Sequence, residues 1–551
     1  MEARRTWLVI LTIALIFRVL ALQTRAFDFD ECYELDHLSL SPFELIRHGD
    51  GFPPLYRWLL SLFCFVFGET SARWFSVLVG MGTVVAIVFL ARCVAGEFVD
   101  RSEAELVGYR AGLFAALSPH QILFSQQARG YILFVFIAAI VCWIAWELSH
   151  RPTRRLWFLL VTGCTLGFAT HYYFCLLIVQ VWIWVAISLR ASQARNIAIF
   201  AGLQSLMCAP ILYALSIDLA HELPAEAINR VDWTGLFYAG FTLFSGWTLG
   251  PSSIALQTLP LQESLSRIGP WAIFVFAMVA SLSVYGVKGL PPRSYVPILA
   301  SCILTPLAAA AIAIALSSSF AARYVVWLAI PIAVWLGLCA TFRGRTLRTT
   351  ASWCLVGVFL LANWNRVYDR HYKMDDAFEL RKWIASNARE MPVLVLSHYF
   401  ASSVERAFSD SKLTDSQSDA NSSNSHHRAI TALSFASDEP HDWGKVLPKF
   451  LHEELTSQGK TEYLVVARWL DPDNLLIDKR DAILSLSGAK KVATVSNNIE
   501  IYQASRNDLE NWIQKVLLSN DSPSVGFASF NALMNGRVSL VDTCAFGFKA
   551  N

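Results

Sequence analysis

Long apolar stretches recur along the first two thirds of the chain, with short polar segments between them. A bilayer core is about 30 Å thick, so each helical crossing needs about 20 mostly apolar residues. The pattern predicts about eleven transmembrane helices, and hence a polytopic membrane protein that is mainly α-helical. The predicted spans are residues 7–23, 73–93, 111–126, 131–148, 156–170, 172–189, 196–217, 270–287, 295–317, 324–340 and 350–364.

Basic residues concentrate in alternate short loops between these spans, and this alternation predicts the orientation in the membrane. Short loops rich in Lys and Arg stay in the cytoplasm, so the N-terminus is expected there. An odd number of crossings then places everything after residue 365 on the exoplasmic side of an inner or plasma membrane. The first span lacks a clean cleavage site and further spans follow it, so we interpret it as a retained helix. The basic loops contain Arg4, Arg5, Arg92, Arg101, Arg110, Arg151, Arg154, Arg155, Arg190, Arg195, Lys288, Arg293, Arg343, Arg345 and Arg348.

Two predicted exoplasmic segments, residues 24–72 and 218–269, are too long to be simple connectors. The first contains PPLYRWLLSLFCFVF at residues 53–67. This stretch is amphipathic and short for a crossing, which is typical of a helix lying in the membrane interface. The second segment mixes apolar turns between Trp233 and Trp247 with polar residues. Together the two segments are predicted to roof a cavity at the membrane surface.

A smaller extramembrane α/β domain is predicted at residues 365–505. DDAFELRKWIASNA has helical spacing, and PVLVLS, EYLVVAR and NIEIYQA are typical of short buried strands. The Asp-, Ser- and Asn-rich insert at 409–427 is predicted to be a loop. Residues 506–551 are expected to form one amphipathic helix, DLENWIQKVLL, followed by a tail.

Composition supports the division into a membrane body, residues 1–364, and a polar domain. The chain has 551 residues, of which 55% are apolar and 16% charged, and its mean hydropathy is +0.43. A soluble domain carries about 25% charged residues, so a soluble globular protein is excluded. The net charge of +2 and the absence of a polybasic run argue against nucleic-acid binding. The 11 cysteines contain no CxxC pair and are expected to be buried apolar residues rather than zinc ligands or disulfides.

Acidic residues follow the first span directly, at Asp28, Asp30 and Glu31, and Asp50 lies further along the same segment. A carboxylate in a partly dry site gains proton affinity, so paired carboxylates at a membrane rim can act as a general base or as metal ligands. A solvated acidic loop is the alternative interpretation.

Two arginines lie at predicted exoplasmic helix junctions, Arg129 in SPHQILFSQQARGY and Arg323 in FAARY. A guanidinium there suits a phosphate group, because its fork donates two hydrogen bonds. The alternative is a snorkelling side chain that anchors a helix end. His171, at the end of the fifth span, is either functional or an interfacial hydrogen-bonded residue. Arg18 lies inside the first span and should face protein or a polar cavity, because a charge in lipid is costly.

In combination, these motifs resemble the polyprenyl-phosphate-sugar-dependent glycosyltransferases of the GT-C superfamily, in particular glycosyltransferase family 39. That family includes protein O-mannosyltransferases and the aminoarabinose transferases of lipid A. The resemblance covers about residues 7–400 and lies in the order of the motifs. The motifs are Arg18, the DE pair Asp30 and Glu31, FPPLY at Phe52 to Tyr56, SQQARGY at Ser125 to Tyr131, THYYF at Thr170 to Phe174, and FAARY at Phe320 to Tyr324.

The resemblance implies a GT-C fold and an inverting sugar transfer at the exoplasmic membrane face. Asp30 would accept the proton of the acceptor hydroxyl, and Glu31 would add an anionic wall to the catalytic pocket. Arg129 and Arg323 would bind the donor phosphate and neutralise the charge that grows on it. The resemblance further implies substrate contacts from Asp50, Pro53, Pro54, Tyr56, Gln126, Tyr131, His171, Tyr172 and Tyr324.

Two positions depart from the family pattern: Phe52 replaces the usual His before the two prolines, and Gln127 replaces an acidic residue. These departures predict either altered substrate choice or a weakly active or inactive relative. A multi-span transporter or lipid flippase is the rival from another class, but no internal repeat is visible.

The expected partners are a polyprenyl-phosphate sugar donor, membrane lipids and a lipid, glycan or protein acceptor of the cell envelope. No cofactor is expected; a divalent metal near Asp28 and Asp30 is the alternative.

Overall fold

The computed structural model describes most of the membrane body and separate parts of the C-terminal region. The chain divides into two compact units, which we describe separately: Met1–Leu22 with Glu34–Tyr372, and Gln23–Tyr33 with Lys373–Asn551. The described residues are 2–41, 44, 53–189, 191–220, 233–252, 261–287, 292–315, 322–341, 346–369, 372, 377–387, 391, 393–395, 403–404, 406–407, 430–435, 462–468, 490–495, 499–505, 507–509 and 525–529.

The first unit is built from α-helices, with short 3₁₀ segments that include Ala322–Leu328. Helix α2 begins in the second unit, at Phe29, and continues into the first. The helices are α1 Glu2–Val19, α2 Phe29–Asp36, α3 Leu55–Phe67, α4 Ala72–Ala95, α5 Arg101–Leu117, α6 Pro119–Ser125, α7 Tyr131–His150, α8 Arg154–Phe168, α9 Phe174–Ser188, α10 Ala194–Ala220, α11 Trp233–Ser245, α12 Leu261–Val287, α13 Pro292–Ala315, α14 Ala329–Thr341 and α15 Thr346–Tyr368.

Helical structure is present at all eleven predicted spans. Within the described residues, six helices are long and apolar enough to cross a bilayer on their own. The protein is therefore a polytopic integral membrane protein that is mainly α-helical, as predicted. The six segments are Glu69–Ala95, Tyr131–His150, Ala191–Ser216, Gln262–Val284, Tyr295–Ala315 and Ala322–Thr341.

The third predicted span, residues 111–126, is wrong as a single helix. Helix α5 begins at Arg101 and ends before Ser118, and a separate short helix, α6, follows. Ser118 caps α6 with its side chain, and Pro119 occupies the first turn, where its missing N–H costs nothing. The amphipathic stretch at 53–67 forms helix α3, as expected, with Leu60 buried and Phe65 exposed.

Helix α5 packs against α1, α4 and α14 in the first unit. Small residues let the backbone of α5 approach those of α4 and α14 closely. A Cβ on Gly337 of α14 would lie 2.8 Å from Cβ of Ala111, and a Cβ on Gly112 would overlap the side chain of Val88 in α4. The core of the membrane body is therefore packed through small residues of α5.

The second unit contains a six-stranded mixed sheet and helix α16, Ala377–Asn387. The strand order is β4-β5-β3-β1-β2-β6; β1 is parallel to both β2 and β3, and the remaining pairs are antiparallel. Apolar residues of α16 and the central strands form its core, which Ala26 also joins. The strands are β1 Val393–Val395, β2 Ile430–Phe435, β3 Glu462–Arg468, β4 Lys490–Val495, β5 Ile499–Ser505 and β6 Val525–Ser529.

The predicted helix at 375–388 and the three predicted strands match α16, β1, β3 and β5, whereas β2, β4 and β6 were not predicted. Strand β6 lies in the part of the chain where only a helix and a tail were expected. The loop predicted at 409–427 and most of the helix predicted at 508–518 lie outside the described residues.

Candidate active site

Arg18, in the last turn of α1, is completely buried. Its guanidinium donates hydrogen bonds of 3.2–3.4 Å to the carbonyl oxygens of Ala115 and Ala116 and to Oγ of Ser125. The two carbonyls belong to the last turn of α5, where a cation is favoured by the helix dipole. Gly80 of α4 leaves room for these groups, since a Cβ there would overlap Oγ of Ser125. Arg18 therefore faces protein, as predicted, and joins α1 to the end of α5.

Gln126, a predicted substrate contact, is engaged with the end of α1. Its Nε2 lies 2.8–3.1 Å from the carbonyl oxygens of Phe17, Arg18 and Leu20, and its Oε1 accepts a hydrogen bond from Arg366. The amide thus satisfies carbonyls that have no partner within their helix. The structure gives Gln126 a capping role, and its contact with substrate stays a prediction.

Arg129 lies in a buried cluster of charges with two residues that the sequence did not single out. Glu34 of α2 accepts a 2.6 Å hydrogen bond at Oε2 from Nε of Arg57, which lies in α3. Its other oxygen, Oε1, lies 3.8 Å from Nη1 of Arg129. The side chains of all three residues are at most 5% exposed. Glu34 therefore links two buried guanidiniums, that of Arg57 in α3 and that of Arg129 in the SQQARGY motif.

Aromatic rings connect Arg129 to the THYYF motif. The guanidinium of Arg129 lies over the ring of Tyr131, 5.5 Å from its centroid, and Nη2 is 3.4 Å from the phenol oxygen. The rings of Tyr131 and Tyr324 each lie 5.8 Å from that of His171. Tyr173 donates its backbone N–H to Nδ1 of His171 at 3.2 Å, which fixes this nitrogen as an acceptor.

Arg323, in the 3₁₀ segment Ala322–Leu328, also lies near His171. Its guanidinium lies 5.5 Å from the centroid of the Tyr324 ring. Burial and, to a smaller extent, the nearby charges of Arg323 and Arg129 together lower the pKa of His171 to about 3. His171 is therefore neutral at physiological pH. The structure thus brings together residues of three separate motifs: Arg129 and Tyr131, His171, and the Arg323–Tyr324 pair.

The acidic motif after α1 has a defined local structure. Oδ1 of Asp28 accepts the backbone N–H of Glu31 at 2.9 Å, and Oε2 of Glu31 accepts that of Asp28 at 3.1 Å. This reciprocal pair is a capping box at the start of α2. Burial and, to a smaller extent, the charge of Glu31 together raise the pKa of Asp28 to about 6. Asp28 is partly buried, which argues against the alternative interpretation of a solvated loop, while Glu31 is fully buried and serves as a cap.

Asp30 lies in the first turn of α2 and is partly buried. Its catalytic role, and that of Glu31, remain predictions. Among the described residues, no group of three or more His, Cys, Asp or Glu side chains could hold a metal ion. A divalent metal near Asp28 and Asp30 stays an alternative prediction.

The remaining predicted contacts surround the start of α3. Pro53 and Pro54 are buried, and Pro54 precedes the first turn of α3. The hydroxyl of Tyr56 lies 3.2 Å from Oγ of Ser76, and Tyr172 packs against Phe168 with ring centroids 6.1 Å apart. The predicted contact Asp50 and the motif residues Phe52 and Phe320 lie outside the described residues.

Sequence reasoning missed Glu34, Arg57 and Tyr173. The signal for Glu34 was its position between Tyr33 and Leu35, since an acidic residue among large apolar neighbours is often buried with a cationic partner. Arg57 carried a similar signal, because it is the one charged residue in the apolar sequence of α3.

These features define a polytopic membrane protein with a buried, arginine-lined polar site, of a kind suited to anions. Residues 52–213 match the family model described as dolichyl-phosphate-mannose-protein mannosyltransferase. This match includes the FPPLY, SQQARGY and THYYF motifs and confirms the resemblance to GT-C glycosyltransferases of the family 39 type.

Comparison with solved structures finds long but distant likenesses. ArnT from Cupriavidus metallidurans in the apo state is 13% identical, with 93% of this chain and 99% of that chain covered and a TM-score of 0.42. The same protein bound to undecaprenyl phosphate gives 13% identity, coverage of 90% and 98%, and a TM-score of 0.41. The oligosaccharyltransferase AglB from Archaeoglobus fulgidus, in complex with an inhibitory peptide and a dolichol-phosphate, is 12% identical. The match covers 84% of this chain and 70% of that chain, with a TM-score of 0.39. No curated protein matches the sequence.

Proposed function

We propose that the protein is an inverting glycosyltransferase that moves a sugar from a polyprenyl-phosphate donor to an acceptor hydroxyl at the exoplasmic membrane face. One observation carries the proposal: Arg129 and Arg323, from two separate motifs, both lie near a neutral His171. Guanidiniums suit a phosphate in geometry and charge, and a neutral imidazole adds a hydrogen-bonding group without further charge. The family model at residues 52–213 supports the same class of reaction.

In the proposed reaction, the acceptor oxygen forms a bond to the anomeric carbon while the bond from that carbon to the phosphate oxygen breaks. The phosphate departs with the bonding electron pair and gains negative charge. Arg129 and Arg323 stabilise this charge in a site with little water, where electrostatic stabilisation is strongest. Donors that are fixed before the reaction need little reorganisation as the charge develops.

We propose that Asp30 accepts the proton of the acceptor hydroxyl, because Asp30 occupies the first acidic position of the family's DE motif. Asp28 and Glu31 engage each other in the capping box, so they have a structural task that accounts for their position. A well-placed general base contributes roughly 10²- to 10⁴-fold to a rate.

The test is a comparison of cells with and without the protein, followed by an assay. Deletion should cause one lipid-linked sugar to accumulate, and membranes that contain the protein should transfer that labelled sugar to an endogenous acceptor. Membranes with Arg129→Lys should transfer much less, because an ammonium cannot replace the guanidinium fork.

The rival functions give different results in this assay. A transporter or flippase would change the side on which the lipid-linked sugar is found, and no sugar would leave the lipid. A catalytically inactive relative, which the departures at Phe52 and Gln127 would favour, would leave the pool of lipid-linked sugar unchanged on deletion.

A further inference from the structure

Glu34 contacts the guanidiniums of Arg57 and Arg129 at different distances. The contact of its Oε2 with Nε of Arg57 is 2.6 Å, the length of a strong charge-assisted hydrogen bond. The contact of its Oε1 with Nη1 of Arg129 is 3.8 Å, which is an ion pair but too long for a hydrogen bond. Glu34 thus attracts Arg129 by charge, while its directional bond goes to Arg57.

The difference between these two contacts is important because all three side chains are buried. Glu34 is 4% exposed, and Arg57 and Arg129 are 2% and 4% exposed. A charge buried without a nearby opposite charge is strongly destabilising. The contacts of Arg129 with Tyr131, at 3.4 Å and over the ring, are weak, and Glu34 places a buried carboxylate within ion-pair distance of this cation.

We infer that Glu34 is a positioning residue that holds Arg129 in the ligand-free protein and is replaced there by the donor phosphate during binding. This inference rests on the proposed function, since it takes Arg129 as a phosphate ligand. A phosphate oxygen at hydrogen-bond distance attracts Arg129 more strongly than a carboxylate at 3.8 Å, so the exchange favours the ligand. Glu34 remains paired with Arg57 throughout.

The exchange has a consequence for release of the product. After sugar transfer, the polyprenyl phosphate must leave a buried cationic site. The carboxylate of Glu34, which lies within ion-pair distance of Arg129, competes with the phosphate for this guanidinium and pairs with it as the phosphate departs. Glu34 should therefore weaken the binding of polyprenyl phosphate and speed its dissociation, since changes at an interface act mainly on the dissociation rate.

The test measures the dissociation rate and affinity of undecaprenyl phosphate for the full-length protein in nanodiscs. Glu34→Gln keeps the shape and a hydrogen-bond acceptor for Arg57 but removes the competing charge. We expect tighter binding and slower dissociation, by about tenfold. Glu263→Gln is the matched control, because Glu263 is an exposed residue paired with Arg267 within α12, and it should leave both values unchanged.

Glu34→Gln leaves Arg57 buried without its carboxylate, so this variant could misfold. A second variant controls for that outcome. The double variant Glu34→Gln with Arg57→Gln removes both charges of the tight pair and should also bind more tightly than the wild type. Unchanged or weaker binding in a folded variant, with the wild type binding normally, would overturn the inference and leave the proposed function intact. If neither wild type nor variants bind undecaprenyl phosphate, the proposed phosphate site itself is wrong.

Discussion

Tyr173 and Tyr324 stack face to face, with ring centroids 4.9 Å apart and ring planes 8° apart. Tyr173 belongs to the connection between α8 and α9, whereas Tyr324 belongs to the 3₁₀ segment Ala322–Leu328. The stack holds these two parts of the first unit together. It thereby places Arg323, the neighbour of Tyr324, close to His171.

Removal of either ring should disturb the position of Arg323. Tyr173→Ala and Tyr324→Ala should each weaken binding of undecaprenyl phosphate, and a double-mutant cycle of unfolding should give a coupling of about 0.5–1.5 kcal/mol. Tyr368→Ala is the control, because Tyr368 also packs on an aromatic ring, that of Trp364, but on an exposed face of α15. Additive effects of the two tyrosine substitutions would contradict the role of the stack.

The assignment of the base predicts different outcomes for two neighbouring carboxylates. Asp30→Asn should preserve the fold and the binding of undecaprenyl phosphate but reduce sugar transfer by roughly 10²- to 10⁴-fold, or about 3–5 kcal/mol of barrier. Asp28→Asn should cost much less, because asparagine also caps helices well. Loss of transfer in Asp28→Asn together with normal transfer in Asp30→Asn would show that the base is wrongly assigned.

The raised pKa of Asp28 predicts a dependence of stability on pH. The folded pKa, about 6, lies above the ordinary value of 3.8, so the folded state binds the proton more tightly than the unfolded state. The favourable contribution of Asp28 to the free energy of unfolding is therefore complete below about pH 4 and is lost as the pH rises through 6. The difference in melting temperature between Asp28→Asn and the wild type should shift in favour of the variant between pH 5 and pH 7.5. An equal difference at both pH values would contradict the raised pKa.

Close packing around Arg18 predicts a contrast between two glycines. Gly80→Ala should destabilise the protein by about 1–3 kcal/mol, because the new methyl group overlaps Ser125 and lies 3.0 Å from Nε of Arg18. Gly202→Ala is the control, since nothing lies within 4 Å of the new Cβ and alanine favours the helix by about 0.5–1 kcal/mol. Thermal unfolding in detergent measures both, and equal effects of the two substitutions would argue against the packing of Arg18 described above.

Hydropathy predicted the membrane helices well, because the thickness of a bilayer fixes how long an apolar helix must be. It failed at residues 111–126, where apolar residues continue across Ser118 and Pro119 and hide the break that these two residues impose. In the second unit it found the central strands β1 and β3 and the apolar β5. It missed β4, an edge strand with exposed Lys490 and Lys491, because edge strands are short and polar for protection against aggregation.

The motifs identified the arginines and the histidine of the site, because their residue types are unusual at membrane depth or at a helix end. They did not show which residues bind these groups. The contact of Glu34 with Arg57 and the engagement of Gln126 with the end of α1 both depend on packing between distant segments. Local sequence carries no record of such contacts, so the engagement of Gln126 with the end of α1 could not be predicted, and its contact with substrate stays a prediction.

The most direct test of the central claim measures the affinity of the purified protein for undecaprenyl phosphate in three arginine variants. We expect Arg129→Lys and Arg323→Lys each to weaken binding at least about tenfold, because a bidentate guanidinium is lost while the charge is kept. Arg267→Lys, at an exposed ion pair of α12, should bind as the wild type does. Equal affinity in all three variants and the wild type would contradict a phosphate site built from Arg129 and Arg323.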